Sequence, residues 1–181
     1  MSTADPAQTA DPTRRWHLLG SRAAAYGLDA LGYAGIAAAM VPFGLANYAL
    51  QGTPSRPAVL AVSLLPPVLA TAWAARAESG PRHATWGKRR LGIRVSGSVG
   101  EAGFGHALLR NAVKILLPWQ LGHVVAIGAA HGDFDTMRPS TMIATGLLYV
   151  IAALFAVLML RRSGRGPHDL LAGTRVEWHR A

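Results

Sequence analysis

Four long stretches almost free of charge constrain this sequence more than any other feature. Between Arg22 and Arg56 the only charged residue is Asp29. Three further stretches contain no aspartate, glutamate, lysine or arginine, namely residues 57–75, 115–132 and 139–160. Each of the four reaches or approaches the roughly 20 apolar residues with which a helix crosses a hydrocarbon core of about 30 Å. The pattern predicts an all-α integral membrane protein built as a four-transmembrane-helix bundle.

The segments around these stretches divide the chain further. Residues 1–21 form a polar tail without an apolar period, which we expect to be disordered and cytoplasmic. Residues 22–181 form the membrane domain, with a connection at 76–111 and a C-terminal tail at 161–181. The predicted spans cover about residues 24–50, 57–75, 112–130 and 140–160. The Pro66-Pro67 pair predicts a kink in the second span, since proline removes backbone donors.

Lysine and arginine are distributed unevenly around the spans. Residues 1–22 hold three, residues 76–114 hold eight and residues 161–181 hold five, while the two remaining turns hold one each. Basic residues accumulate on the cytoplasmic side of membrane proteins. We therefore expect a multi-pass protein of the plasma membrane with both termini and the central connection in the cytoplasm.

The composition excludes several classes of function. The net charge of +9 would indicate nucleic acid for a soluble chain, but topology and contact with anionic lipid headgroups account for it here. Without cysteine there is no disulfide, thiolate metal site or cysteine nucleophile. No HExxH, phosphate-binding loop, GxSxG or paired histidine cluster occurs. We expect no nucleic-acid partner, no catalytic residue, no bound metal and no cofactor, and hence no enzyme.

The central connection carries recognisable local patterns. Residues 85–91, Thr-Trp-Gly-Lys-Arg-Arg-Leu, are typical of a short basic helix that lies in the lipid headgroup layer on the cytoplasmic side. Residues 92–95 then alternate like a strand, and their Gly-x-Arg-Val pattern recurs at residues 173–176. We predict that the two stretches pair as a short cytoplasmic β-ribbon.

Four motifs in order resemble those of the RDD family of membrane proteins. They are Arg22-Ala-Ala-Ala-Tyr-Gly-Leu-Asp29, Gly87-Lys-Arg-Arg-Leu-Gly-Ile-Arg-Val95, Ala107-Leu-Leu-Arg-Asn111 and His168-Asp-Leu-Leu-Ala-Gly-Thr174. The resemblance places the arginine and the two aspartates that name the family at Arg22, Asp29 and Asp169. It implies a membrane protein but little about activity, for which transport is only suspected.

Asp29 is the first candidate functional residue, because a carboxylate within a span costs about 2.5–3.5 kcal/mol unless it is paired. Arg22 lies seven residues earlier on the same helix face, about 10 Å away along the axis, which is long for a direct ion pair. Arg110 and Lys114 are the preferred partners. Two interpretations stay open: a salt bridge between helices, or a site for a proton or cation.

Asp169 and His123 also allow two interpretations each. Asp169 either caps the short helix after Pro167 or folds back to pair with Arg22 or Lys88. His123 either relays protons or donates one hydrogen bond to a facing group, for instance on the fourth span. The supporting candidates are Lys88, Arg110, Asn111, Lys114 and His123.

Two classes of function remain. The first is a small transporter of protons or monovalent cations that titrates Asp29 and, with only four spans, works as a homo-oligomer. The second is a non-transporting adaptor or regulatory protein whose basic segments bind anionic lipid or a protein partner. The aspartates are then structural.

Overall fold

The computed structural model describes residues 12–97, 100–161 and 163–179. Residues 1–11 of the predicted tail lie outside this part. Helix α1, Pro12–Ala39, begins within the segment that we expected to be disordered. The prediction is wrong for residues 12–21, and Leu18 gives the reason, because it packs against a cluster of buried apolar residues.

The first two spans are each divided by proline. After α1, helix α2 covers Val41–Gln51 and has Pro42 in its first turn. The second span consists of α3, Arg56–Val62, and α4, Leu65–Ser79. Pro66 and Pro67 are buried in the first turn of α4, where backbone amides need no helical acceptor. The kink that this pair predicts is therefore present as a break between two helices.

The third span changes its helical geometry in the middle. Helix α6, Phe104–Asn111, continues through a π-helical segment, Ala112–Leu116, into α7, Leu117–Ala130. Pro118 has no N–H to donate to the carbonyl of Lys114, and this accounts for the local departure from α-helical bonding. The fourth span is one helix, α8, Pro139–Leu160.

Within the described residues, four helical stretches are long and apolar enough to cross a membrane, namely Arg15–Leu50, Arg56–Ser79, Phe104–Ala130 and Pro139–Leu160. The second and third extend further towards the central connection than predicted. The predicted spans ended where the charge-free stretches met the first ionised residue. Glu78 and Arg110 nevertheless lie inside helices, because they form an ion pair with each other. Three of the spans share a core of Tyr33, Ala70, Ala74 and Ile115.

Two short helices and two strands make up the rest of the regular structure in the described part of the chain. Helix α5, Trp86–Arg90, precedes strand β1, Ile93–Gly97, and helix α9, Pro167–Leu171, precedes strand β2, Thr174–Trp178. The strands pair antiparallel with Val95 opposite Val176, which confirms the predicted pairing of the two Gly-x-Arg-Val stretches. Ile93, Val95 and Val176 pack with Ala25 of α1, so the small sheet lies against the first span.

An ion pair joins the two short turns at the opposite end of the spans. Arg56 donates to both carboxylate oxygens of Asp133, which also accepts a bond from the Thr141 hydroxyl. These bonds from Arg56 and Thr141 hold the pKa of Asp133 below its usual value. Only 3% of Asp133 is exposed, so this aspartate is buried within the turn.

Candidate functional site

Six charged side chains from five helices meet at the end of the spans that carries α5, α9 and the sheet. We call them the buried charge network; its members are Arg22, Asp29, Glu78, Lys88, Arg110 and Asp169. None exposes more than 8% of its side chain. Ionised groups remain this deeply buried only when opposite charges and hydrogen bonds compensate for the lost water.

Glu78, near the C-terminal end of α4, is the centre of the network. One carboxylate oxygen accepts from Lys88 Nζ at 2.7 Å. The other accepts from Arg110 Nη1 at 3.0 Å and from Asn111 Nδ2 at 2.8 Å. Glu78 is completely buried, so these three donors replace its hydration. It therefore binds α4 to both α5 and α6.

Asp29 joins α1 to the beginning of α5. Its Oδ2 accepts from the Thr85 hydroxyl at 2.5 Å, and its Oδ1 accepts from the backbone N–H of Gly87 at 2.8 Å. Lys88 Nζ lies 4.0 Å from Oδ2. The preference for Arg110 and Lys114 as direct partners was wrong, because the connection folds back over α1 and offers its own donors.

Asp169 fulfils both roles that its sequence position suggested. It accepts from the backbone N–H of Gly166 at 3.1 Å and so caps α9. It also forms an ion pair with Arg22, and Arg110 Nε donates to it at 3.1 Å. Burial alone would raise the pKa of this carboxyl, but Arg110, His168 and Arg22 hold the pKa below its usual range.

Arg110 connects the two halves of the network. Its guanidinium spans Glu78 and Asp169, and only 1% of the side chain is exposed. Arg22 is oriented by a second bond to the backbone carbonyl of Gly164, just beyond α8. The guanidinium of Arg110 thus joins the second span, the third span and the C-terminal segment, and Arg22 attaches the first span through Asp169.

The last two supporting candidates lie outside the ion pairs. Lys114, in the π-helical segment, places its Nζ 4.6 Å from the ring centre of Tyr26. His123 bonds the carbonyl of Trp119 one turn earlier at 3.1 Å and stacks on the same indole. The predicted bond from His123 to another helix is therefore wrong, because its own helix supplies the acceptor.

The ionised groups of the network balance. Asp29, Glu78 and Asp169 contribute three negative charges, while Arg22, Lys88 and Arg110 contribute three positive ones. Within the described ranges, no group of three or more histidine or acidic residues is arranged to hold a metal ion. The arrangement joins the helices through groups of opposite charge.

The close approach of α5 to α1 requires glycine at position 87. A methyl group there would overlap the carbonyl oxygen of Ala25 and meet Asp29 Oδ1 at 3.0 Å. We expect Gly87→Ala to lower the free energy of unfolding in detergent by about 1–3 kcal/mol, the usual effect of overpacking. Gly105→Ala is the control, because nothing lies within 4 Å of its position. Equal stability of the two variants would show that α5 does not need this contact.

His168 is buried beside the network and stacks on Phe155. Its Nε2 lies 3.5 Å from Asp169. Burial lowers the pKa of His168 to about 3, and Arg110, Lys114 and Arg22 act in the same direction, whereas Asp169 opposes them. The imidazole is therefore neutral in the folded protein near neutral pH.

The neutral state of His168 predicts a loss of stability in acid. The unfolded chain takes up this proton below about pH 6.5 and the folded protein only near pH 3, so stability falls as the pH decreases through that window. The slope is at most about 1.4 kcal/mol per pH unit. Unfolding in detergent between pH 7 and pH 5 should show a slope that His168→Gln reduces and that His106→Gln, on an exposed residue, leaves unchanged. Equal slopes in all three proteins would contradict the prediction.

The sequence did not single out Glu78 as a candidate. The candidates that it did identify and that lie in or beside the network are Arg22, Asp29, Lys88, Arg110, Asn111 and Asp169. One signal was available: Ala70, Ala74 and Glu78 follow one another at intervals of four, so they share a helix face. All three are fully buried. A carboxylate in line with two small core residues is the pattern of a buried ion pair rather than of a solvated loop.

One family model matches most of the chain. A model described as the RDD family matches residues 17–173, and this range contains every member of the buried charge network. No curated protein and no solved structure matched the chain significantly. The match covers most of the chain, and the chain therefore belongs to the RDD family of membrane proteins.

Proposed function

We propose that this protein is a non-transporting membrane adaptor that binds anionic phospholipid at its basic end. One observation carries the proposal: each carboxylate of the buried charge network is already neutralised by fixed donors of the chain itself. A cation transporter needs a carboxylate that exchanges its partners for water and substrate. Asp29 is only 1% exposed, and both of its carboxylate oxygens accept hydrogen bonds from residues at the start of α5.

The same end of the protein presents unburied cations to its surroundings. The exposed residues there include Arg82, Trp86, Arg89 and Arg90, and Arg90 lies over the Trp86 ring. A basic helix with an exposed indole suits the headgroup layer, where each arginine contributes about 1 kcal/mol towards an anionic surface. By the distribution of basic residues, we infer that this end faces the cytoplasm.

Lipid retention tests the binding half of the proposal. The purified protein is reconstituted with phosphatidylcholine and phosphatidylglycerol, extracted in mild detergent and analysed by native mass spectrometry. We expect the wild type to retain phosphatidylglycerol preferentially and the Arg89→Gln/Arg90→Gln variant to retain less of it. Arg138→Gln, an exposed arginine at the opposite end of the spans, should behave like the wild type. Equal retention of both lipids by the wild type would overturn the proposal.

Ion flux tests the non-transporting half. Proteoliposomes with an internal pH dye are exposed to Na⁺, K⁺ and Li⁺ gradients at matched protein content. We expect no proton movement above that of empty vesicles. Flux in the wild type that disappears in a folded Asp29→Asn variant would make the protein a transporter.

A further inference from the structure

A cavity of about 380 Å³ adjoins the buried charge network, between α1, the π-helical segment and α8. Four cationic residues contribute to its lining where it adjoins the network, namely Arg22, Lys88, Arg110 and Lys114. Most of the lining is apolar, and α8 contributes Leu148, Ile151, Ala152, Phe155 and Met159 to it. The cavity thus adjoins a cationic end and has a hydrocarbon wall, and it is large enough for part of a small ligand.

The four cations of the cavity are not equally compensated. Arg22, Lys88 and Arg110 each bind carboxylates of the network. Among the residues that the structure describes, no carboxylate lies within 4.0 Å of Lys114, whose Nζ faces the ring of Tyr26 instead. The three acids of the network are matched by three other cations, so none of them is left to pair with Lys114. A lysine ammonium in this partly buried position is stabilised by an anion from outside the chain.

The apolar wall lies where a lipid chain would lie. Helix α8 ends at Leu160, so the stretch from Leu148 to the helix end covers about 18 Å of its length. The cationic end of the cavity is near the end of the span, because Arg22 also bonds Gly164 just beyond α8. A phosphate placed there would stand at headgroup depth with its hydrocarbon chain directed into the bilayer along α8.

We propose that this cavity binds one anionic phospholipid, with its phosphate on Lys114 and its acyl chain against the α8 wall. The proposal rests on the affinity for anionic phospholipid described above, and it adds a single defined site to the exposed arginines of α5. The cationic lining disfavours a metal ion or proton-carrying cation as occupant. The apolar wall distinguishes the site from one for a soluble phosphate, which would leave that wall without a partner.

Two variants alter the two halves of the cavity separately. Lys114→Met removes the cation with nearly unchanged side-chain length, and Ala152→Phe fills the apolar side without touching any charge. In native mass spectrometry against mixed vesicles of phosphatidylglycerol and phosphatidylcholine, we expect the wild type to retain one phosphatidylglycerol most firmly. Each variant should lower that retention about tenfold or more. A cooperative unfolding transition in detergent should confirm that both variants are folded.

The outcomes separate this inference from the proposed function. Arg89→Gln/Arg90→Gln could reduce lipid retention while Lys114→Met and Ala152→Phe leave it intact. In that case the proposal of a cavity site is wrong, and the proposed lipid binding by the exposed arginines of α5 is supported. If the wild type shows no preference for phosphatidylglycerol, both proposals fail. Displacement of the retained lipid by excess inorganic phosphate would show a site for free anions and overturn the phospholipid assignment.

Discussion

Glu78→Gln should lower the free energy of unfolding by about 3–5 kcal/mol, the range for removing one partner of a buried ion pair. The carboxylate accepts from Lys88, Arg110 and Asn111 at once, and its exposed area is zero. Glutamine retains the shape but carries no charge, so Lys88 and Arg110 lose their shared anion in a site that water does not reach. We expect the stability to be lost because α4 packs less firmly against α5 and α6.

The measurement is reversible unfolding of the purified protein in detergent, followed by circular dichroism. Glu101→Gln is the matched control, because the Glu101 side chain is 85% exposed and faces His83. Exposed substitutions of this kind usually change stability by no more than about 0.5 kcal/mol. A Glu78→Gln protein as stable as Glu101→Gln would show that the network does not hold the spans together.

Arg110→Met should have a comparable effect, again about 3–5 kcal/mol, for the opposite reason. Methionine fills much of the same volume, but Glu78 and Asp169 lose the guanidinium that bridges them. Arg110→Lys should also be destabilised, since one ammonium group does not reproduce the planar fork that reaches two carboxylates. Arg76→Met, on an exposed residue of α4, is the control.

A double variant tests whether the two residues act as one unit. Because Glu78 and Arg110 contact each other, Glu78→Gln/Arg110→Met should lose less stability than the sum of the single variants. The remaining charges still pair, with Arg22 on Asp169 and Lys88 near Asp29. Strict additivity would mean that the two residues stabilise the fold independently and that the network is not a single unit.

The spans and the sheet were predictable because their signals are local. A stretch without charge is visible in the sequence itself, and the two Gly-x-Arg-Val stretches predict two similar strands. The paired prolines likewise predicted the break between α3 and α4. Each of these features follows from neighbouring residues and from the exclusion of charge by the bilayer.

The partners of the buried charges were harder to predict because they depend on how distant segments fold back. Asp29 bonds residues 56 and 58 positions later, and Arg22 pairs with a residue 147 positions later. Counting charges along the chain also assigned Glu78 to the central connection rather than to the second span. A helix tolerates a charge at its end when another segment supplies the counter-charge, and that counter-charge is not a local property.

The pairing of Arg22 with Asp169 has a consequence for biogenesis. The first helix leaves the ribosome well before α9 does, so Arg22 lacks its carboxylate until α9 has been made. We therefore expect the charged end to assemble only after all four spans have been synthesised. A chain that stops before α9 leaves Arg22 and one side of Arg110 without an acid. Tags fused after β2 should be tolerated better than any deletion that removes α9.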